Sequence, residues 1–329
     1  MKKVKIGLLG CNYMGKMHAN CYRTLENVEV AAVADIREDV AAELAKEWNA
    51  QVFTDAEELI KNCDLDAVDI CLPTFLHTKY ALMAMEKVPY VFIEKPVALN
   101  EEECEKLLQK QQQTGARVQI GQVIRFWDEY AYLKELVDSK TYGEVVNATF
   151  KRLSPSPLWS QNDWIRQSKF SGGAIVDLHV HDIDYMFYLF GEPKKRSCIK
   201  NTRGEHNSYI TTICEYEDFV VSVEATWYLP PSYPFNMYYR VVFEKAVVEY
   251  DKGKVTIYDA NGSFEPTIQK NSSGLTVFGG GNISEQSGYV NELKYFTDRI
   301  KSNEQIEKAR LIDGVRSLKF ILDELKETL

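Results

Sequence analysis

Residues 1–15 contain the feature that most constrains this chain, an apolar run followed by a glycine-containing turn. Residues 4–9 have the length and character of a buried strand, and a helical pattern begins at Met14. Between them, Gly10, Asn12 and Gly15 occupy the three positions of a dinucleotide-binding turn. A helix that starts there points its N–H groups toward a pyrophosphate. The middle residue is Asn rather than Gly, and Asn tolerates a positive φ better than most residues.

An acidic residue further along supports the same interpretation. Asp35 follows the second apolar run, 28–34, where a carboxylate binds the ribose hydroxyls of a dinucleotide. It favours NAD over NADP, because a carboxylate repels a 2′-phosphate, although Arg37 could partly offset that repulsion. On these residues alone, an ordinary βαβ unit with an incidental aspartate stays open.

Composition restricts the class of protein. With 329 residues the chain has room for two domains, and a net charge of −9 disfavours nucleic acid or an anionic membrane as a partner. We find neither a leader-like segment nor an apolar run that would span a bilayer. The seven cysteines show no CxxC pairing, which is typical of reduced thiols. We therefore expect a cytoplasmic protein without nucleic acid or membrane partners.

Up to about residue 121, strand-length apolar runs alternate with helical segments. Strands are predicted at 4–9, 28–34, 67–71, 90–93 and 118–120. Helices are predicted at 14–23, 40–47, 56–61, 77–85 and 101–114. This alternation indicates a doubly wound parallel sheet, whose ligands bind beyond the carboxyl ends of the strands.

Strand patterns dominate the second half of the chain. Alternation over 221–227 gives a strand with one apolar face, as in a sheet covered on one side. A glycine-rich loop is expected at 274–288. Helices are predicted at 129–138, 285–301 and 307–326. The sequence thus predicts an α/β fold, with a Rossmann domain over 1–123 followed by an α+β domain over 124–329 that contains a large open mixed or antiparallel sheet.

The triplet Glu94-Lys95-Pro96 is the first candidate for chemistry. It follows the predicted strand 90–93 at the ligand-binding edge, and Pro96 restricts the backbone of Lys95 to extended conformations. An ammonium there could hydrogen-bond a substrate hydroxyl and favour its alkoxide. A surface lysine at a strand end is the alternative.

The second candidate is a predicted buried helix over 171–191. Asp177 and His181 lie one turn apart on it, with Asp184 on the same face, and such a pair can act as an acid–base unit. A satisfied core network is the alternative. His179 points to the opposite side, so His179 and His181 could not readily share one metal ion, and no metal is predicted.

Together these motifs resemble the glucose–fructose oxidoreductase/inositol dehydrogenase (Gfo/Idh/MocA) family over essentially the whole chain. The segments that carry the resemblance are GLLGCNYMGKMHA, VADIRED, CLPTFLH, IEKP, GQVIRFWDEY and SGGAIVDLHVHDID. Its most specific parts are Glu-Lys-Pro and Asp-x-x-x-His. The resemblance implies a Rossmann domain followed by an α+β domain whose open sheet serves oligomer contacts. It also implies NAD(P)-dependent oxidation of sugars, inositols or related polyols.

The resemblance also implies roles for individual residues. Lys95 matches the catalytic lysine, Asp177 the catalytic aspartate and His181 the proton-relay histidine. The cofactor-binding residues are expected to be Gly10, Asn12, Tyr13, Met14, Gly15, Asp35, Arg37, Pro73, Thr74, His77, Glu94 and Lys95. His179 departs from the pattern, since glycine is common there.

Three further residues are candidates for binding substrate. They are Arg125, Trp159 and Trp164. Arg125 follows a predicted strand end, and a structural salt bridge is its alternative. Flat rings suit the C–H faces of a sugar, but Trp also fills ordinary cores.

The expected function is hydride transfer between a ring hydroxyl or keto group of a sugar, inositol or polyol and nicotinamide, by a homodimer or homotetramer. NAD is the expected cofactor in preference to NADP. Two alternatives stay open. One is an NAD-dependent glycoside hydrolase that works by transient oxidation and elimination, and the other is a catalytically idle NAD-binding regulator.

Overall fold

The structure, a computed structural model, describes residues 3–158, 160–203, 207–270 and 287–327. Trp159 and residues 274–286 of the loop expected at 274–288 lie outside the described residues, and residues 287 and 288 begin a helix. Within the described ranges the chain forms two compact units, one of residues 3–123 and 287–318 and the other of residues 124–270 and 319–327.

The first unit contains a six-stranded sheet. Its strands are β1 (Val4–Leu9), β2 (Val28–Ala34), β3 (Gln51–Phe53), β4 (Ala67–Ile70), β5 (Tyr90–Ile93) and β6 (Arg117–Ile120). They lie in the order β3-β2-β1-β4-β5-β6, and every pairing is parallel. This is the Rossmann order, and it confirms the predicted doubly wound sheet.

Helices connect these strands. They are α1 (Tyr13–Arg23), α2 (Glu38–Trp48), α3 (Ala56–Asn62), α4 (Thr74–Lys87) and α5 (Glu101–Thr114). The predicted helix starts at Met14 and His77 were late by one and three residues. The three-residue edge strand β3 was not predicted, because it is largely exposed and lacks an apolar pattern.

The second unit contains an eight-stranded mixed sheet. Its strands are β7 (Val145–Pro155), β8 (Lys195–Arg203), β9 (Asn207–Glu215), β10 (Val220–Leu229), β11 (Asn236–Phe243), β12 (Ala246–Asp251), β13 (Lys254–Asp259) and β14 (Gly262–Phe264). Their order is β14-β13-β12-β11-β7-β10-β9-β8. Only β7 and β10 pair in parallel, which confirms the predicted large mixed sheet.

The predicted one-sided pattern is present over residues 221–225 of β10 but not beyond, because Thr226 is also buried. Val221, Val223 and Ala225 are buried, whereas Ser222 and Glu224 between them are partly exposed. The helices that begin or lie in this unit are α6 (Asp128–Ser139), α7 (Ser168–Ser171), α8 (Gly173–Asp177), α9 (Val180–Phe190) and the end of α11 (Leu311–Lys326). Among them, α8 packs on β9 and β10, and α9 packs on β7. These helices therefore cover one face of the sheet.

The predicted division of the chain differs from these units in one respect. Helix α10 (Ser287–Ser302) and the start of α11 pack with the first unit instead of with the rest of 124–329. The reason is the apolar face of α10, where Phe296 packs edge-on against Phe92 of β5 at 5.4 Å between ring centroids. Tyr90 of β5 also donates a hydrogen bond to the Arg299 carbonyl at 2.9 Å.

No helix in the described ranges combines the length and the hydropathy needed to cross a bilayer.

Candidate active site

The turn after β1 has the shape that a nucleotide-binding loop requires. Gly10 has a φ of +89°, and a Cβ on Gly15 would lie 1.8 Å from the Gly10 carbonyl oxygen. Any larger residue at Gly15 would therefore collide with backbone. Asn12 precedes α1 with a φ of −87°, so the tolerance of Asn for positive φ is not needed. Tyr13 and Met14 form the first turn of α1 and are half-buried.

The carboxylate of Asp35 is held in place directly after β2. It accepts the Cys11 N–H at 3.0 Å and the Arg37 N–H at 3.0 Å, and the Arg37 guanidinium lies 3.1–3.2 Å from both carboxylate oxygens. Burial alone would raise the pKa of Asp35, but these hydrogen bonds outweigh it and lower the pKa below its ordinary value. Asp35 is thus a fixed anion beside the turn, and Arg37 is already engaged by it.

Lys95 lies directly after β5, half-buried, and its peptide bond to Pro96 is cis. The neighbouring carboxylate of Glu94 accepts the Lys95 N–H at 3.1 Å. Since β5 and β1 flank β4 in the sheet, Glu94 and Lys95 leave the same carboxyl edge as the glycine turn. This placement agrees with the predicted position of both residues.

His77 joins the two loops that follow β4 and β5. Its ring nitrogens lie 2.7 Å from the Leu72 carbonyl oxygen and 2.8 Å from the Pro96 carbonyl oxygen. Burial lowers the pKa of His77. Pro73 and Thr74 start helix α4 in the same loop. His77 therefore connects the loop after β4 to the loop after β5, which contains Lys95.

A buried cluster that the sequence analysis missed lies beneath this edge. His18 Nδ1 is 2.8 Å from an Asp69 carboxylate oxygen, and the Tyr22 hydroxyl donates to the same oxygen at 2.8 Å. The potential ligand atoms of His18, Asp69 and Cys71 lie within 4.8 Å of one another, a spacing that a metal ion could use. The hydrogen bonds to Asp69 satisfy this carboxylate without an ion. The absence of a metal stays a prediction.

The predicted helix over 171–191 is broken in the structure. Helix α8 ends at Asp177 and α9 begins at Val180. Leu178 and His179 keep helical φ and ψ, but the His179 N–H donates to the Ala174 carbonyl five residues back, so the regular hydrogen bonding is interrupted there. Asp177 is the buried last residue of α8, and His181 is half-buried in the first turn of α9. The shared face of Asp177, His181 and Asp184 was inferred from an unbroken helix, and the break removes that premise.

His179 directly precedes α9 and is fully buried. Its Nε2 lies 3.1 Å from the Thr212 hydroxyl, which donates to the Glu324 carboxylate at 2.6 Å. Burial lowers the pKa of His179 to about 3, and burial raises the pKa of Glu324 to about 7. This network ties the helix break to β9 and α11.

Glu324 provides a prediction for the pH dependence of stability. Between its ordinary pKa of 4.5 and about 7, the folded protein binds this proton more tightly than the unfolded chain does. Its contribution to the free energy of unfolding therefore falls as the pH rises through that range. Glu324→Gln cannot ionise, so its stability relative to wild type should rise by up to ~3 kcal/mol from pH 5 to pH 8.

Urea unfolding at four pH values between 5 and 8 measures this difference. Glu327→Gln, which removes a more exposed carboxylate of the same helical end, is the matched control. A stability difference between Glu324→Gln and wild type that stays constant with pH would contradict the prediction.

Two further predicted residues lie in the second unit. The Arg125 guanidinium forms a two-point ion pair with Asp184 at 2.6 and 2.7 Å, and both side chains are buried. The guanidinium carbon of Arg125 also lies over the Tyr188 ring, 4.7 Å from its centroid. Trp164 is half-buried in a 3-10 turn, Gln161–Arg166. A role in substrate binding stays a prediction for both residues.

Both halves of the chain match models of one known protein family. Residues 4–122 match the model for the NAD-binding Rossmann fold of the Gfo/Idh/MocA oxidoreductase family, and residues 130–249 match the model for its C-terminal domain. The chain belongs to the Gfo/Idh/MocA family. The resemblance inferred from the motifs is thereby confirmed, together with an NAD-binding Rossmann domain.

Several curated proteins are similar to this chain. It is 29% identical over 192 residues to the myo-inositol 2-dehydrogenase of Thermotoga maritima, over 57% of this chain and 55% of that protein. It is 27% identical over 191 residues to the 2,7-anhydro-N-acetylneuraminate hydratase of Mediterraneibacter gnavus, over 58% of this chain and 50% of that protein. The chain thus spans about half the length of the curated relatives it matches.

A solved structure shares the fold along nearly the whole chain. Levoglucosan dehydrogenase in complex with NADH superposes with a TM-score of 0.85 at 19% identity, over 99% of this chain and 96% of that one. At this identity the likeness supports the fold.

The polar cluster around His18 was the main omission of the sequence analysis. A signal for it exists, because Asp69 interrupts the apolar strand β4 and is completely buried. A buried carboxylate needs a partner, but the sequence does not indicate that the partners come from α1.

Proposed function

We propose that this protein is an NAD-dependent oxidoreductase that acts on a ring hydroxyl of a sugar, an inositol or a related polyol. One observation carries the proposal: Lys95 leaves β5 at the carboxyl edge that also contains the glycine turn and Asp35. An ammonium at the ligand edge of an NAD-binding sheet suits stabilisation of an alkoxide. Membership in a family that includes a myo-inositol 2-dehydrogenase supports the substrate class.

The turn and Asp35 would hold the cofactor. The N–H groups at the start of α1 would face the pyrophosphate, and the Asp35 carboxylate would accept hydrogen bonds from the ribose. The glycine requirement at Gly10 and Gly15 fits this use, because the backbone there has no room for a side chain. When bound, NAD supplies the acceptor for a hydride from the substrate carbon.

Three residues of the chain would handle the substrate proton. The Lys95 ammonium hydrogen-bonds the oxygen of the reacting hydroxyl and stabilises its negative charge. His181 takes the proton as a general base, and Asp177 corresponds to the catalytic aspartate of the family pattern. Pro73, Thr74, His77 and Glu94 line the cofactor wall, and Trp164 and Arg125 remain candidates for substrate contacts.

A panel of sugars and inositols, assayed by NADH absorbance with NADP in parallel, tests this function. Products should also be identified, because one relative is a hydratase. Reduction of NAD coupled to formation of a keto product is the expected result. Free sugar or a hydrated product without a net change in NADH would contradict it.

The cofactor preference gives a prediction that does not depend on the substrate. Asp35→Ser should weaken NAD binding by roughly 10-fold or more, since a hydrogen bond to a charged group contributes about 1.5–3 kcal/mol. NADP binding should strengthen, because the released Arg37 guanidinium can then contact the 2′-phosphate. Calorimetry measures both affinities.

Asp39→Ser is the matched control, because this exposed acid in the first turn of α2 should change neither affinity. Wild-type protein that binds NADP as tightly as NAD would overturn the assignment.

The outer face of the second sheet is the proposed contact surface of a homodimer or homotetramer. Lys151, Tyr238 and Arg240 lie on this face, where Lys151 pairs with Glu224 at 3.2 Å and the Tyr238 hydroxyl donates to Glu249 at 2.8 Å. Charges that alternate across strands can match a second copy of the same face. Light scattering at micromolar concentration should show a dimer or tetramer, and a monomer would contradict this.

A cytoplasmic location is also part of the proposal. All seven cysteines lie in the described ranges, and none of them forms a disulfide there. This agrees with a reducing compartment.

A further inference from the structure

A buried polar chain connects helix α1 to the residue before Lys95. His18 is completely buried, and its two ring nitrogens face two carboxylates: Nδ1 lies 2.8 Å from Asp69 and Nε2 lies 3.0 Å from Glu94. The ring is held edge-on against Phe92 at 5.3 Å between centroids. The Tyr22 hydroxyl anchors the far end of the chain by its bond to Asp69.

The chemistry of the partners indicates the charge of His18. A carboxylate accepts hydrogen bonds, so the 2.8 Å contact with Asp69 places a proton on Nδ1 of His18. Nε2 faces Glu94 at 3.0 Å without an aligned hydrogen bond. Burial would lower the pKa of His18, but Asp69, together with the Cys71 sulfur 3.2 Å from Nδ1, outweighs it and raises the pKa well above its ordinary value. We expect His18 to be an imidazolium, with Asp69 and Glu94 on its two sides.

Other titratable groups surround this imidazolium within the same unit. They are Tyr22 and Cys21 on α1, Cys71 after β4, and Tyr289 and Glu292 on α10. Burial raises the pKa of Glu292 well above its ordinary value.

The carboxylate of Glu94 is fixed from three sides. His18 lies on one side, and the Lys95 N–H donates to Oε2 at 3.1 Å on another. On the third, a Cβ added at Gly121 would lie 2.9 Å from Oε1, so the carboxylate packs directly on this glycine. The Nε2–Oε1 contact is one of charge, since neither atom has an aligned hydrogen-bond partner. Without His18, Glu94 would lose the positive charge that holds it.

We propose that His18 is a positioning residue for Lys95: anchored by Asp69, it holds the Glu94 carboxylate, which in turn fixes the backbone of Lys95. The proposal rests on the proposed function for its effect on turnover, because Lys95 is there the residue that hydrogen-bonds the reacting hydroxyl. Its structural part, the coupling of His18 to Lys95 through Glu94, does not depend on a substrate.

Turnover of four variants tests the effect on the reaction. His18→Gln cannot bridge two carboxylates and should lower kcat by roughly 10- to 100-fold, as expected when a catalytic group is misplaced, with little change in KM. Glu94→Gln should have a similar effect. The double variant should lose no more than the worse single variant, because both act through one chain of contacts. Thr297→Val, which removes a buried hydroxyl bond to the Lys294 carbonyl in α10, is the matched control with normal kcat.

Two measurements need no substrate. Nitrogen-15 NMR of labelled imidazoles should show both nitrogens of His18 protonated at pH 8. The rate at which acetic anhydride modifies Lys95, read by mass spectrometry of its peptide, should change severalfold in His18→Gln and stay unchanged in Thr297→Val. If no sugar or polyol is oxidised, the proposed function fails while these two results still decide the coupling.

Three outcomes would overturn the proposal. They are a neutral His18 ring at pH 8, an unchanged modification rate of Lys95 in His18→Gln, and losses of kcat that multiply in the double variant.

Discussion

Replacing Lys95 or His181 with Ala is expected to lower kcat by about 10²–10⁴-fold, the usual contribution of general acid–base catalysis. Lys95 would stabilise the charge on the reacting oxygen and His181 would accept its proton. Each substitution should therefore slow the chemical step. NADH binding should stay nearly intact, because the pyrophosphate turn and Asp35 are unchanged. Measurement of kcat with the best substrate, beside NADH binding by fluorescence, separates the two effects.

Substitutions at Asp177 and His179 extend this test. Asp177→Asn should also lower kcat, and the three losses should not add, because residues that act as one unit are non-additive. His179→Gly is the contrast, since His179 contacts Thr212 and lies in a fully buried network. It should reduce stability more than turnover. Near-normal kcat in both Lys95→Ala and His181→Ala would contradict the mechanism.

Arg125→Met is expected to destabilise the folded protein by roughly 3–5 kcal/mol. The change leaves Asp184, which is 1% exposed, as a buried carboxylate without its two-point ion pair. Arg125→Met combined with Asp184→Leu should recover much of this loss, because neither charge then remains buried. Urea unfolding of the two single variants and the double variant measures the coupling.

Lys140→Met is the control for this pair, because its partner Glu144 is exposed and such surface pairs contribute about 0–1 kcal/mol. The same variants examine the predicted role of Arg125 in substrate binding. Normal stability of Arg125→Met together with a large rise in the KM for the substrate would favour that role over the structural one.

Much of the first unit could be predicted because its signals are local. An apolar run, a turn that needs glycine and a helix start lie within residues 4–15, and each has a physical requirement that a short segment meets alone. The same pattern locates the carboxyl ends of the strands. Asp35 and Lys95 follow such ends, so the pattern places them at the ligand-binding edge of the sheet. The second sheet was predicted as a class, but its strand order was not, because alternation does not specify which strands pair.

The sequence by itself therefore determined the Rossmann pattern, the family and the residues at the strand ends. Tertiary structure decided which buried charges meet. Arg125 pairs with Asp184 and His18 with Asp69 across long separations in the chain, and no local pattern encodes such partners. It also decided the break between α8 and α9, which an apolar sequence typical of one continuous helix does not predict. His179 lies at this break and contacts Thr212. The physical reason is that a buried polar group must find a partner wherever the fold supplies one.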